Sequence, residues 1–139
     1  MNAGDFRLLC EYNCWADHHR ILDACSSRSD GQFTRDLGSS FRSVRDTVVH
    51  ICLVEWLWLT RWHGRWHSTH PPATGFPNLE SVRRRWADSE RNLLNYVTSL
   101  APDDIHRIID HTTTKGVPLE APLWQRLQRV VNHGTYRRG

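Results

Sequence analysis

Ser43-Val44-Arg45-Asp46-Thr47-Val48-Val49-His50-Ile51-Cys52-Leu53-Val54-Glu55-Trp56-Leu57-Trp58-Leu59-Thr60-Arg61-Trp62 contains neither glycine nor proline. From Phe41 just before it, Val44, Val48, Ile51, Glu55, Trp58 or Leu59, and Trp62 continue at the spacing of one helical face. The pattern predicts a helix that starts at the N-cap candidates Ser39 or Ser40 and runs to about His63, before Gly64. At about 1.5 Å per residue such a helix is on the order of 35 Å long. One with a single apolar face must be covered by neighbours, and the rest of the chain supplies them.

Toward the N-terminus, Leu8, Tyr12, Trp15, His19 and Leu22 mark one face of a helix from roughly Asp5 to Cys25, read as its core face. The polar, glycine-bearing stretch from Ser26 to Ser40 is expected to be a loop. After the central helix, Gly64, Pro71, Pro72, Gly75 and Pro77 break any regular structure and predict an exposed connection. Asn78 as N-cap, Glu80 in the first turn, and Leu79, Val82, Trp86, Leu93 and Val97 predict a third helix ending before Pro102. Ile105 to Ala121, with Ile108-Ile109, Thr112-Thr113-Thr114 and Lys115-Gly116, is read as a short hairpin. Pro122 suits position N1 of a last helix that buries Leu123, Leu127, Val130, Val131 and Gly134. The fold class is therefore all-α, a four-helix bundle with a short β-hairpin before the last helix, as one domain over residues 1–139.

The 139 residues suffice for one core, and 39% apolar with 24% charged residues excludes the disordered class. Even the richest apolar run, Val48 to Trp62, carries His50, Glu55 and Arg61, so no membrane span is expected. Met1-Asn2-Ala3-Gly4-Asp5 lacks the basic and apolar regions of a secretory signal, and a cytoplasmic location is the expectation. Cys10, Cys14, Cys25 and Cys52 lie in apolar surroundings and are read as core thiols, without the partner Cys-x-x-Cys that a metal pair at Cys10 and Cys14 would need. Net charge is +3, and of the 18 basic residues only Lys115 is a lysine. The arginines are interleaved with 15 acids rather than gathered in a stripe, so specific nucleic-acid binding is not expected.

Nine histidines and seven tryptophans are many for this length. His50 lies close to the apolar face of the central helix, and His133 has the same character on the last one, so the two can meet across a bundle. His63, His67 and His70 fall within eight residues, but Gly64 interrupts the helix and the segment is read as a loop end. His18, His19, His106 and His111 show no ligand spacing. Trp15, Trp58, Trp86 and Trp124 are read as core or boundary residues, and Trp62 and Trp66 as flanking the Pro-rich loop.

The words Tyr12-Asn13-Cys14-Trp15-Ala16-Asp17, Ser43 to Ile51 with Glu55-Trp56-Leu57-Trp58-Leu59, and Pro122-Leu123-Trp124 with Val131-Asn132-His133-Gly134-Thr135-Tyr136-Arg137-Arg138-Gly139 resemble the DinB family of damage-inducible metalloproteins, over nearly the whole chain. The resemblance implies a bundle, often a homodimer, in which one His of helix two and a His-x-x-x-His pair of helix four hold a divalent metal. It also implies a small-molecule thiol as substrate, bound to the metal as thiolate and transferred. Carried over, the ligands are His50, His133 and position 137. That position is Arg137, whose guanidinium has no lone pair and opposes a dication. The family's last helix would also run on past Gly139, so a shortened one is expected here.

Three readings of the pair follow. It holds zinc or nickel weakly, completed by water or a carboxylate such as Glu55; it holds no metal; or Arg137 makes the pocket a seat for a carboxylate or phosphate. The corresponding functions are a metal-binding protein, with thiol S-transferase activity where the site is complete enough, and a non-catalytic bundle acting through dimerisation or an anionic ligand. No catalytic triad, phosphate-binding glycine loop or paired-carboxylate site offers other chemistry.

Overall fold

Asn2 opens the first helix with a reciprocal cap: its Oδ1 accepts from the Asp5 N–H at 2.9 Å, and Asp5 Oδ2 accepts from the Asn2 N–H at 3.0 Å. The computed structural model describes residues 2–38, 41–64, 71–113 and 115–138. Helix α1 spans Ala3–Ala16, passes into a π-helical segment Asp17–Leu22 and ends in the short α2, Asp23–Cys25. The expected first helix is therefore present but not uniform. Asp17 and Leu22 are both buried although they stand five positions apart, a spacing that on an α-helix points them about 140° apart. The i→i+5 bonding of the π segment brings both onto the inner side.

The inner face of α1 differs from the expected one. Phe6, Cys10, Asn13, Cys14 and Ala16 are buried, while Leu8, Tyr12 and Trp15 are largely exposed. Trp15 is 48% exposed, and its ring packs on Tyr12 and His19 along the outside of the helix. Of the residues assigned to the core face, only Leu22 is buried.

The expected loop from Ser26 to Ser40 holds a further short helix, α3, Asp30–Thr34, which Ser29 and Gln32 cap reciprocally. It delivers Phe33, 1% exposed, into the core. The central helix, α4, spans Val44–Trp62 rather than starting at Ser39 or Ser40. Ser43 is its N-cap, accepting from the Asp46 N–H at 3.0 Å. Phe41 thus precedes the helix, whose 19 residues measure about 28 Å.

Helix α5, Leu79–Thr98, begins at Asn78 as the sequence predicts, with Asn78 Oδ1 accepting from the Ser81 N–H at 2.9 Å. A 3-10 turn over Pro102–His106 leads into the antiparallel strands β1, Ile108–Thr112, and β2, Pro118–Pro122, with Ile109 opposite Ala121. Ile105 belongs to the turn and Pro122 ends β2, so the hairpin is narrower than Ile105–Ala121 at its start. Gly116 takes a positive φ of 81° in the hairpin connection, which a side chain would resist. Helix α6, Leu123–Arg138, follows at once, its first N–H donating to the Arg107 carbonyl at 2.9 Å.

The four long helices close a ring in which α1 touches α5 and α6, and α4 touches the same two. The result is the all-α bundle with a hairpin before its last helix that the periodicity predicts. One apolar cluster gathers Phe6, Cys10, Leu93, Val97, Leu123 and Leu127; the other gathers Leu22, Phe33, Ile51, Leu53, Val82 and Trp86. No helix of the described residues is long and apolar enough to cross a membrane. All four cysteines are buried free thiols.

Candidate functional site

Contact between α4 and α6 brings His50 and His133 together, both half-buried. Their Nε2 atoms lie 3.2 Å apart, with ring centres 5.1 Å apart at 65°. Two facing nitrogens at this distance share one proton: one ring donates and the other accepts. Burial, then the charges of Arg137 and Arg129, push the His133 imidazole below its ordinary range, so it is neutral at pH 7. Phe41, in the residues leading into α4, lies over the His50 ring at 4.6 Å between centres.

Position 137 is helical, one turn beyond His133 on the same face of α6. Arg137 sets its guanidinium carbon 4.9 Å from the centre of the Phe41 ring and 5.3 Å from that of Tyr136. Its Nε is buried without a hydrogen-bond partner among the described residues. The ring of Phe41 therefore has the imidazole of His50 and the guanidinium of Arg137 as neighbours.

The donor set meets one requirement of a metal and misses another. Two imidazoles on a tetrahedral zinc, at about 2.0–2.1 Å each, hold their nitrogens about 3.3 Å apart, close to the separation here. Among the described residues, however, no group of three His, Cys, Asp or Glu side chains stands ready to hold a metal ion. Glu55, considered above as a completing carboxylate, is engaged elsewhere. Its Oε1 accepts from Asn13 Nδ2 at 2.8 Å and its Oε2 from Trp86 Nε1 at 3.1 Å.

Asn13 also donates to Asp17 at 3.3 Å, and Glu55 is hydrogen-bonded to Asp17. Burial and the Asp17 charge push Glu55 well above the usual carboxylate range. Two buried carboxyls in contact hold a proton between them, so this network is a structural joint of α1, α4 and α5. The sequence reading missed it, because a buried Asn13 or Asp17 cannot be told from a solvent-facing one without its partners.

Of the other candidates, Cys10 is pushed up to about 12 by burial, and Cys14, Cys25 and Cys52 are raised by the same cause, so all four stay protonated. Trp58, Trp62 and Trp86 lie inside or at the boundary, whereas Trp15 does not. His67, His70 and Trp66 fall outside the described residues. His19 pairs with Asp23 at 3.3 Å on the surface.

A family model, described as the DinB family, matches residues 1–139. No curated protein matches the chain.

Proposed function

The chain belongs to the DinB family, and from that premise we propose that His50 and His133 form a two-imidazole seat for a divalent cation, zinc or nickel. The observation that carries this reading is the 3.2 Å separation of their Nε2 atoms across two helices. A cation there supplies Lewis acidity that lowers the pKa of a coordinated water or small-molecule thiol. The chain's own residues prepare the seat. His133 is held neutral at physiological pH and keeps a lone pair available. For both Nε2 atoms to face one ion, both rings carry their protons on Nδ1, and the shared hydrogen gives way. Phe41 shields one side of His50.

Arg137 sets the strength and the selectivity of the seat. Its charge opposes a dication and weakens binding, while the same charge favours an anionic co-ligand such as a thiolate or carboxylate. The test is a calorimetric titration of tag-free protein with zinc and nickel, beside His50→Ala and His133→Ala. Binding of one ion per chain that both substitutions abolish supports the reading and justifies a thiol-transfer screen. Absence of binding, or binding indifferent to both, overturns it.

The outer face of α1 supports a second element of the reading, a homodimer. Leu8, Tyr12 and Trp15 form an exposed apolar stripe on one helix. Packed antiparallel on its own copy about a two-fold near Tyr12, the stripe sets Leu8 against Trp15 of the other α1, so a second copy of this chain is its self-complementary occupant. In a metal-free bundle, this surface and the anion-attracting Arg137 would be what remains to act.

A further inference from the structure

Arg61, in the last turn of α4, and Arg126, in the first turn of α6, are only 9% and 6% exposed. Their guanidinium carbons lie 4.8 and 5.3 Å from the centre of the same Trp58 ring, and hence at most about 10 Å from each other. Among the described residues neither has a carboxylate partner, and the Nε of each is buried without a hydrogen bond. A guanidinium stays charged at any ordinary pH, so two like charges stand close together in largely buried side chains, with an indole face between them and each Nε shut off from water.

The surroundings add more positive charge and no acid. Helix α6 carries Arg126, Arg129, Arg137 and Arg138 and contains no Asp or Glu. Arg126 lines an open cleft of about 290 Å³ with Gln125, Gln128, Arg129 and Asn132. Each of these side chains offers N–H donors and none is negative. Burial and the neighbouring Arg129 press on Arg126, and burial and Arg126 press on Arg61, all against the charged form.

We propose that this cleft binds a phosphate group, free or carried as a monoester on a small molecule, with Arg126 as its anchor. The forked N–H groups of Arg126 and Arg129 match the tetrahedral oxygens, and the amides of Gln125 and Asn132 complete the donor ring. Arg61 adds its charge from the far end of α4 and holds Trp58. A dianion neutralises both buried cations, which a carboxylate cannot, and this decides between the two anion classes. The site uses neither His50 nor His133, so it stands independently of the metal reading.

The experiment is a titration of the full chain with inorganic phosphate and with phenyl phosphate at constant ionic strength balanced by chloride, followed by calorimetry and by ³¹P line width. Saturable binding is expected. Arg126→Gln weakens it at least tenfold, Arg126→Lys weakens it although the charge is kept, and Arg84→Gln, on the exposed side of α5, leaves it unchanged. Circular dichroism checks each fold; should Arg126→Gln not fold, Arg129→Gln, at an exposed position, is expected to weaken binding severalfold. Phenyl phosphate displacing inorganic phosphate identifies a monoester ligand, and inorganic phosphate binding alone identifies the free ion; either supports the site. His50→Ala keeps the binding. Non-saturable binding, or equal affinity in wild type, Arg126→Gln and Arg129→Gln, overturns the proposal.

Discussion

Trp86 of α5 donates its indole N–H to Glu55 of α4 at 3.1 Å, and both side chains are buried. The bond ties two helices at a point where Glu55 also receives Asn13 from α1 at 2.8 Å. Removing the donor strands a carboxyl oxygen inside the bundle. Trp86→Phe is expected to cost about 2–4 kcal/mol in denaturant unfolding, combining lost volume with an unsatisfied acceptor. A change in metal or phosphate affinity on that substitution would show that the joint shapes the sites as well as the fold.

Glu90 gives the stability a pH dependence. Burial, and then the charge of Asp17, raise its carboxyl to about 7. The folded state thus holds this proton more tightly than the unfolded chain, whose value is about 4.3. Between about pH 4.5 and 7 the native form binds more protons, and stability falls as pH rises through that window. Glu90→Gln should stabilise the protein at pH 8 but not at pH 4, by on the order of 1 kcal/mol, or about 3 °C in Tm, given the partial exposure of the group. Parallel melting curves at the two pH values check it.

Arg137 occupies a helical position one turn from His133, so a ligating residue there is well directed. Arg137→His is expected to raise zinc or nickel affinity at least tenfold, about 1.4 kcal/mol, by removing a charge and adding an imidazole. Calorimetry on both proteins reads the difference. Equal affinities would mean that a side chain at position 137 neither reaches an ion at the His50–His133 seat nor opposes it.

The stripe on α1 predicts the assembly. Tyr12→Glu combined with Trp15→Glu should convert a dimer to a monomer in sedimentation velocity, with helicity unchanged, because both positions are exposed in the single chain. A wild-type monomer across the micromolar range would remove the proposal.

The thiols supply a test of the core. All four are buried and protonated, so iodoacetamide at pH 8 should leave the native protein unmodified and label four sites in denaturant.

That His50 and His133 meet was legible because each lies near an apolar helical face that turns toward the bundle interior. The third helix was legible down to its cap, since Asn78 stands alone before an apolar run. At the central helix the choice fell on Ser39 or Ser40, whereas the cap is Ser43, which accepts from the Asp46 N–H. On α1 the hydrophobic count pointed outward. Leu8, Tyr12 and Trp15 outweigh Cys10, Asn13 and Asp17 in hydrophobicity, yet the latter face is inside, where Glu55, itself held by Trp86, receives Asn13. Such polar burial is a property of the partners and cannot be read from one helix. The buried arginines escaped notice for the same reason, being two among many in an arginine-rich chain.

The π segment between Asp17 and Leu22 also bears on how this sequence tolerates insertion and deletion. A wide turn of this kind holds a surplus residue without breaking the helix. Deleting one residue between Asp17 and Leu22 would close the wide turn to an ordinary α-helix and set the two four positions apart, about 40° around the axis, so that Leu22 and Cys25 would still face the cluster of Phe33 and Val48. This turn is thus a place where the chain can lose one residue and still present the same inner face to the bundle.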